Sequence, residues 1–292
     1  MAARYIRTLN QSPATNSDTD SFLLAHSIID WNSVRDKRSY SGYLRSSSIH
    51  DSCIREQIIG LHEHVEVSEN VSLQLAATFE IGNAVHFWLQ NEHRFFKDRL
   101  IGWWECLACG DITFGRKPKS RCTSCGALSR AVRYREHEIK VKEPVRGIGH
   151  VDLFLETSKG NIEICDIKTI AGDKFLTLEE PLIQNQYQVI DYMLLMELDN
   201  NLPVKVNTES AIVLYIPKAH QAKNFPAKAF RVKKRKEIVD SIMKKRIKFT
   251  NSVKDGMVPE PLKCCISSNF TGYRAKSCPV LRKCIEVCGF DY

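Results

Sequence analysis

The sequence runs to 292 residues, is 43% hydrophobic and 26% charged, and carries a net charge of +8 at pH 7. That suffices for one large globular domain or two modest ones and excludes a disordered or fibrous chain. No apolar run approaches the roughly 20 residues that span a bilayer, so no membrane association is expected.

Residues 1–20 are polar and hold no apolar signal-peptide core, which predicts a partly mobile extension on a cytoplasmic protein in a reducing compartment. In such a compartment the 11 cysteines are expected to bind metal rather than to form disulfides. The odd count fits two four-cysteine sites with some left over. A short helix is expected around Phe22 to Trp31 within an extension covering residues 1–40.

Residues 41–102 are expected to form a helical segment. Serines 46–48 precede Ile49, Cys53 and Ile54, as in a capped helix start. A second helix is predicted over 70–98, where Leu75, Phe79, Val85, Phe87 and Leu89 mark an apolar side and Gly82 permits close approach to a sheet. His86 lies on it.

Residues 103–127 contain Cys106-x2-Cys109-Gly110 and, after twelve residues, Cys122-x2-Cys125-Gly126. Two such knuckles predict a zinc ribbon, and four thiolates leave no open coordination position, so the zinc is structural. Arg116, Lys117, Lys119 and Arg121 lie between the knuckles and offer a contact to nucleic acid. Residues 131–146 alternate and read as the first strand of a sheet. Glu136, His137 and Glu138 are explained there as a solvated strand face.

The region 128–250 centres on Gly147 to Tyr192. Val151, Leu153 and Leu155 alternate, Lys159-Gly160-Asn161 supplies a turn, and Ile162, Ile164 and Ile167 carry the return strand of a hairpin. Asp152 sits in its first strand. Asp166 and Lys168 are two apart in the second and therefore share a face. Two carboxylates and an ammonium at a sheet edge are costly in a core, and suit a divalent-cation site with a water-activating or charge-stabilising lysine. Glu163 is an odd step from Asp166 and is expected to face away. After a loop over Thr169–Glu179, a helix from about Pro181 to Leu198 places Gln188 and Tyr192 on one face. Ala211–Ile216 reads as a buried strand, followed by a basic helix over 231–249.

Charge is uneven. Residues 217–249 hold twelve Lys and Arg against Glu237 and Asp240, a local +10 that leaves the remainder of the chain at about −2. Such a segment suits a phosphate backbone, with Lys233, Lys234, Arg235, Lys236, Lys244, Lys245 and Arg246 as candidate nucleic-acid contacts. A solvated helix face is the plainer alternative. No glycine-rich phosphate loop is present, so any helicase motor must be a separate partner. The segment 251–292 holds Cys264, Cys265, Cys278, Cys284 and Cys288. An iron–sulfur cluster, a second zinc and free thiols are the three readings these cysteines leave open.

The order Asp152, Asp166-Ile167-Lys168 and Gln188-Val189-Ile190-Asp191-Tyr192 resembles the PD-(D/E)XK nucleases, specifically their RecB-like branch. Phe79-Glu80-Ile81-Gly82-Asn83-Ala84-Val85-His86 matches the upstream histidine helix of that branch. The resemblance implies an α/β, restriction-endonuclease-like core with a mixed central sheet flanked by helices, here with a zinc-ribbon insertion and an iron–sulfur-clipped terminus. It implies Mg²⁺ or Mn²⁺ held by His86, Asp152, Asp166 and the Ile167 carbonyl, with Lys168, Gln188 and Tyr192 completing the catalytic set. It also implies DNA as substrate, single-stranded or at ends, an exonuclease function in repair or recombination, and a prokaryotic or phage-infected cell. The iron–sulfur members, which include CRISPR-associated and phage-type exonucleases, carry one upstream cysteine and three at the end. Here those are Cys53, Cys265, Cys278 and Cys284, with Cys264 or Cys288 as alternates, because Ala275 stands where the family has a Cys-x2-Cys partner of Cys278. The competing readings are a DNA-binding zinc-ribbon and iron–sulfur accessory protein without catalysis, and a hydrolase or structural protein that does not touch nucleic acid.

Overall fold

A computed structural model of the chain describes residues 38–67, 73–91, 95–218 and 227–289. Residues 1–20 and the helix expected around Phe22 to Trp31 lie outside them. In chain order the elements are β1 (Arg38–Ser39), β2 (Leu44–Arg45), α1 (Ile54–His62), β3 (Glu66–Val67), α2 (Leu73–Asn91), β4 (Leu100–Cys106), β5 (Ile112–Gly115), β6 (Val132–Arg135), β7 (His137–Val141) and β8 (Gly147–Val151). There follow β9 (Leu153–Glu156), β10 (Ile162–Ile170), α3 (Gly172–Thr177), α4 (Ile183–Met196), β11 (Val206–Pro217), β12 (Lys228–Lys233), α5 (Lys236–Asp255), α6 (Lys263–Ser267), α7 (Tyr273–Lys276) and α8 (Leu281–Glu286).

The central sheet is mixed, in the order β12-β11-β10-β9-β4-β5 with β6 also paired to β4. Strand β10 is buried along most of its length because both of its faces are covered, even though it carries Glu163, Asp166 and Lys168. It pairs antiparallel with β9 across a tight turn and parallel with β11, a pairing that needs a crossover, supplied by α3 and α4. On one face Ile164 packs with Val189, Ile190 and Met193 of α4. On the other, Cys165 and Ile167 pack with Leu89 of α2 and Trp104 of β4. A three-stranded sheet, β2-β8-β7, adjoins it. No helix among the described residues is long and apolar enough to cross a membrane.

Four local expectations are corrected. Helix α1 starts at Ile54 with Cys53 as its N-cap and no side-chain cap bond; the serines form a 3₁₀ turn over Ser46–Ser48 instead. On α2, Leu89 is buried but Leu75, Phe79 and Phe87 are exposed. The basic helix begins at Lys236, because 228–233 adds an edge strand to β11. Finally, two strands that read as continuous are split: 131–146 breaks at Glu136 between β6 and β7, and the first hairpin strand breaks at Asp152 between β8 and β9. At both breaks the chain passes from one sheet to the other. His137 pairs with Val151, so the two junction residues Glu136 and Asp152 fall side by side.

Candidate active site

The sheet junction, β10, α2 and α4 converge on one cluster of polar groups. Asp152 and Asp166 are both buried. Asp152 Oδ2 accepts the Ile167 N–H at 2.7 Å, which pins the junction to β10. Its Oδ1 lies 3.6 Å from His86 Nδ1. Burial and the neighbouring Asp166 charge push the Asp152 carboxyl well above the usual carboxylate range. Burial and then Lys168 lower the His86 imidazole, favouring the neutral form that ligates metals, and its ring also contacts the Ile167 backbone.

Across β10, Lys168 Nζ donates to Asp166 Oδ1 at 3.0 Å. It also lies 2.8 Å from Oδ2, but outside hydrogen-bonding direction, and Asp166 Oδ2 is buried with no hydrogen-bond partner. Burial alone would lower the Lys168 ammonium; Asp166 and Asp152 more than reverse this and hold it above its ordinary value. From α4, Gln188 Nε2 donates to Asp166 Oδ1 at 3.2 Å and to the Tyr192 hydroxyl at 2.6 Å. Tyr192 lies against Gly149 of β8, where an added Cβ would fall 2.6 Å from its ring, so only glycine admits the phenol there. The six expected residues fall into two adjoining sets: His86 beside Asp152, and Lys168, Gln188 and Tyr192 around Asp166, which is not among the ligand atoms grouped with His86 and Asp152.

A seventh was missed. Glu136 joins His86 and Asp152 in a group whose ligand atoms all lie within 4.8 Å of one another. Gln90 Nε2 holds it, donating to Glu136 Oε1 at 2.7 Å and to the Asp152 carbonyl at 3.3 Å. The solvated-face reading therefore holds for Glu138, which pairs with His150 at half exposure, and fails for its neighbours. His137 is buried, accepting from Trp103 Nε1 at 3.2 Å and bonding Asp199 at 2.5 Å. Glu163 faces away, as expected, bonded to Asn207 and Arg231.

Cys106, Cys109, Cys122 and Cys125 form a second ligand group able to hold a metal such as zinc. Cys106 Sγ is 3.7 Å from Cys125 Sγ, and Cys109 Sγ is 4.0 Å from Cys122 Sγ, spacings of the size a tetrahedral thiolate site needs. Gly110 and Gly126 adopt φ of 76° and 75° and bond back to the Cys106 and Cys122 carbonyls, closing each knuckle. Backbone N–H groups of Cys125 and Ser124 pull the Cys122 thiol down to about 7. This insertion is not detachable: β4 pairs with β9 at Leu100 and Ile101 and with β5 and β6 from Gly102 onward.

At the chain's end, Cys53, Cys265, Cys278 and Cys284 line one small cavity beside α1. Arg55 donates to Cys284 Sγ at 3.1 Å and to Cys288 Sγ at 3.2 Å, and Cys264 is exposed.

The basic candidates separate. Lys233, Lys236 and Lys244 are exposed. Lys234 pairs with Glu197, and Arg235 donates to Gln186 Oε1 at 2.7 Å. Lys245 donates to the Ile49 and His50 carbonyls. Arg246 is a correction: it is fully buried, paired with Asp191, and bonds the Leu44 and Arg146 carbonyls at 3.2 and 3.0 Å. Such a guanidinium has no face to offer a phosphate.

No protein-family model and no curated protein matches the chain. A solved structure described as "Crystal structure of SSO0001" is similar at 14% identity over 89% of this chain and 92% of that chain, with a TM-score of 0.39. A likeness that slight carries no argument about fold or function.

Proposed function

We propose that the chain is a divalent-metal-dependent DNA nuclease built on a RecB-like PD-(D/E)XK core. The observation that carries the reading is two buried carboxylates, Asp152 and Asp166, set side by side with a lysine ammonium and a neutral-leaning imidazole. Stability alone gives no reason to bury two carboxylates together; a Mg²⁺ or Mn²⁺ ion gives one. The ligands would be Asp152, Asp166, His86 and the Ile167 carbonyl, with Glu136 beside them. Held by those residues, such an ion would supply charge neutralisation at the scissile phosphate and a more acidic water.

The chain's own groups do the remainder. Lys168, as an ammonium, stabilises negative charge developing on the phosphate. Gln188 fixes the Asp166 carboxylate and hands its second bond to Tyr192, holding both in place. Lys233, Lys236 and Lys244 supply phosphate contacts, and single-stranded DNA or DNA ends are the proposed substrate, with exonucleolytic cleavage. The cavity lined by Cys53, Cys265, Cys278 and Cys284 suits an iron–sulfur cluster that ties α1 to the terminus, with Arg55 donating toward the sulfurs.

The test is degradation of end-labelled single- and double-stranded DNA with Mg²⁺ or Mn²⁺, using anaerobically purified wild type and Lys168→Ala. Cleavage by wild type, reduced about 10²- to 10⁴-fold in the variant with DNA binding retained, is the expected result. Wild-type protein that binds DNA with metal present and never cuts it would leave the accessory-protein reading in its place.

A further inference from the structure

Strand β10 carries chemistry on both faces. Asp166 and Lys168 serve the cleft just described; Glu163, three residues earlier, lines a separate cavity on the opposite side of the sheet, about 10 Å along the strand. That cavity has a volume of about 460 Å³ and is walled by Phe95, Phe96 and Ile212, with Arg99 and Arg231 as its cations, Thr157 and Ser158 as its hydroxyls, and Glu156, whose carboxylate pairs with Arg116, at its edge. It falls in the size range of small-ligand sites, roughly 300–1,000 Å³.

The floor is the informative part. Glu163 is 4% exposed. Its Oε1 is fully engaged, accepting from Arg231 and from Asn207 Nδ2 at 3.3 Å, and Arg231 also donates to Ser210 Oγ at 2.9 Å. Its Oε2 is buried with no partner. A buried acceptor is costly to leave unmet. Because Arg231 already neutralises the carboxylate, a second full cation is not called for. The group that fits is a neutral N–H donor on a flat ring that can lie against the phenylalanines, with an anion reaching Arg99, an exposed residue of the lining. A nucleobase bearing an exocyclic amine, attached to a phosphate, has all three properties.

We propose that this cavity is a nucleotide site that selects amino-bearing bases through Glu163 Oε2. The occupant is a free mononucleotide or one base of a bound strand; the recognition chemistry is the same. Nothing in it depends on cleavage at the other cleft.

The test is equilibrium binding in chelator, so that no nuclease activity enters, comparing dCMP with dUMP. These two present an amine and a carbonyl at the same ring position. Wild type is expected to bind dCMP on the order of tenfold more tightly than dUMP. In Glu163→Gln the side-chain carbonyl is required by Arg231, which turns the amide N–H₂ into the cavity; the preference then reverses toward dUMP. Arg99→Ala weakens both nucleotides equally and leaves the corresponding nucleosides unaffected, a control that does not touch the buried ion pair. Competition of dCMP by a short oligo-dC assigns the site to a strand, and failure of that competition assigns it to the free nucleotide. Equal affinity for dCMP and dUMP, an unchanged preference in a folded Glu163→Gln protein, or no binding at millimolar concentration overturns the proposal.

Discussion

Arg246→Met separates two roles that the sequence alone could not. The guanidinium is fully buried and bonds Asp191 through both Nε and Nη2, the Nε contact measuring 2.6 Å. Methionine fills most of the space but leaves the Asp191 carboxylate buried without its partner. Removing one member of such a pair costs about 3–5 kcal/mol. The Leu44 and Arg146 carbonyls, bonded at 3.2 and 3.0 Å, lose a donor as well. The expected loss is a large share of the roughly 5–15 kcal/mol that holds a typical domain folded. For a chain of this size it corresponds to a fall in melting temperature of roughly 6–20 °C. Urea denaturation and thermal melts of Arg246→Met read it directly. The double variant Asp191→Leu/Arg246→Met should recover most of it, because no unpaired charge then remains in the interior. DNA binding, measured where each variant is folded, gives the complementary result. Arg246→Met should leave the salt dependence of binding unchanged. Lys244→Ala, at an exposed position, should leave stability within about 0.5 kcal/mol and lower the salt slope by about one ion. A folded Arg246→Met protein with wild-type stability and weakened DNA affinity would refute the reasoning.

Three further outcomes are expected. Asp152 has its carboxyl raised above an unfolded-state value near 4, so its contribution to stability is present below that value and lost as pH rises through the folded one. Asp152→Asn should therefore melt higher than wild type in chelator at neutral pH, with the gap closing in acid, and Mn²⁺ should stabilise only the wild type; a variant less stable in chelator at neutral pH would contradict this. Glu136→Gln should retain the Gln90 contact region yet weaken half-saturation by Mn²⁺ about tenfold, and unaltered metal dependence would remove Glu136 from the site. Cys122→Ser should lose one bound zinc, destabilise the protein by at least about 3 kcal/mol, and impair the cleft, since Cys106 and Cys122 pack in the same cluster as Leu89 of α2. Wild-type stability after zinc loss would show the ribbon to be an independent appendage.

The order and type of the chemistry-bearing residues are local properties, which is why the sequence alone carried them. A two-residue step on a strand puts Asp166 and Lys168 on one face. A four-residue step on a helix does the same for Gln188 and Tyr192, and Cys-x2-Cys-Gly folds its own knuckle. Periodicity also separated Glu163 from Asp166 correctly. What periodicity does not register is the point at which a strand leaves one sheet for another. The alternation through Asp152 looks unbroken, yet both Glu136 and Asp152 stand where the chain changes sheets, and only the pairing of His137 with Val151 brings them together. The break in alternation at Arg135-Glu136-His137 was the one available signal, and charge made it look like a solvated face. Arg246 and Lys244 are equally basic and two apart on α5. Which of them meets water was decided by the side of α5 that packs toward Asp191 of α4, a long-range choice between helices some fifty residues apart in sequence. The convergence of Cys53 with Cys265, Cys278 and Cys284 across more than two hundred residues is likewise a matter of tertiary packing. Residue type and spacing specify the chemistry a chain can perform, whereas burial and the meeting of distant strands determine which of its charged groups are placed to perform it.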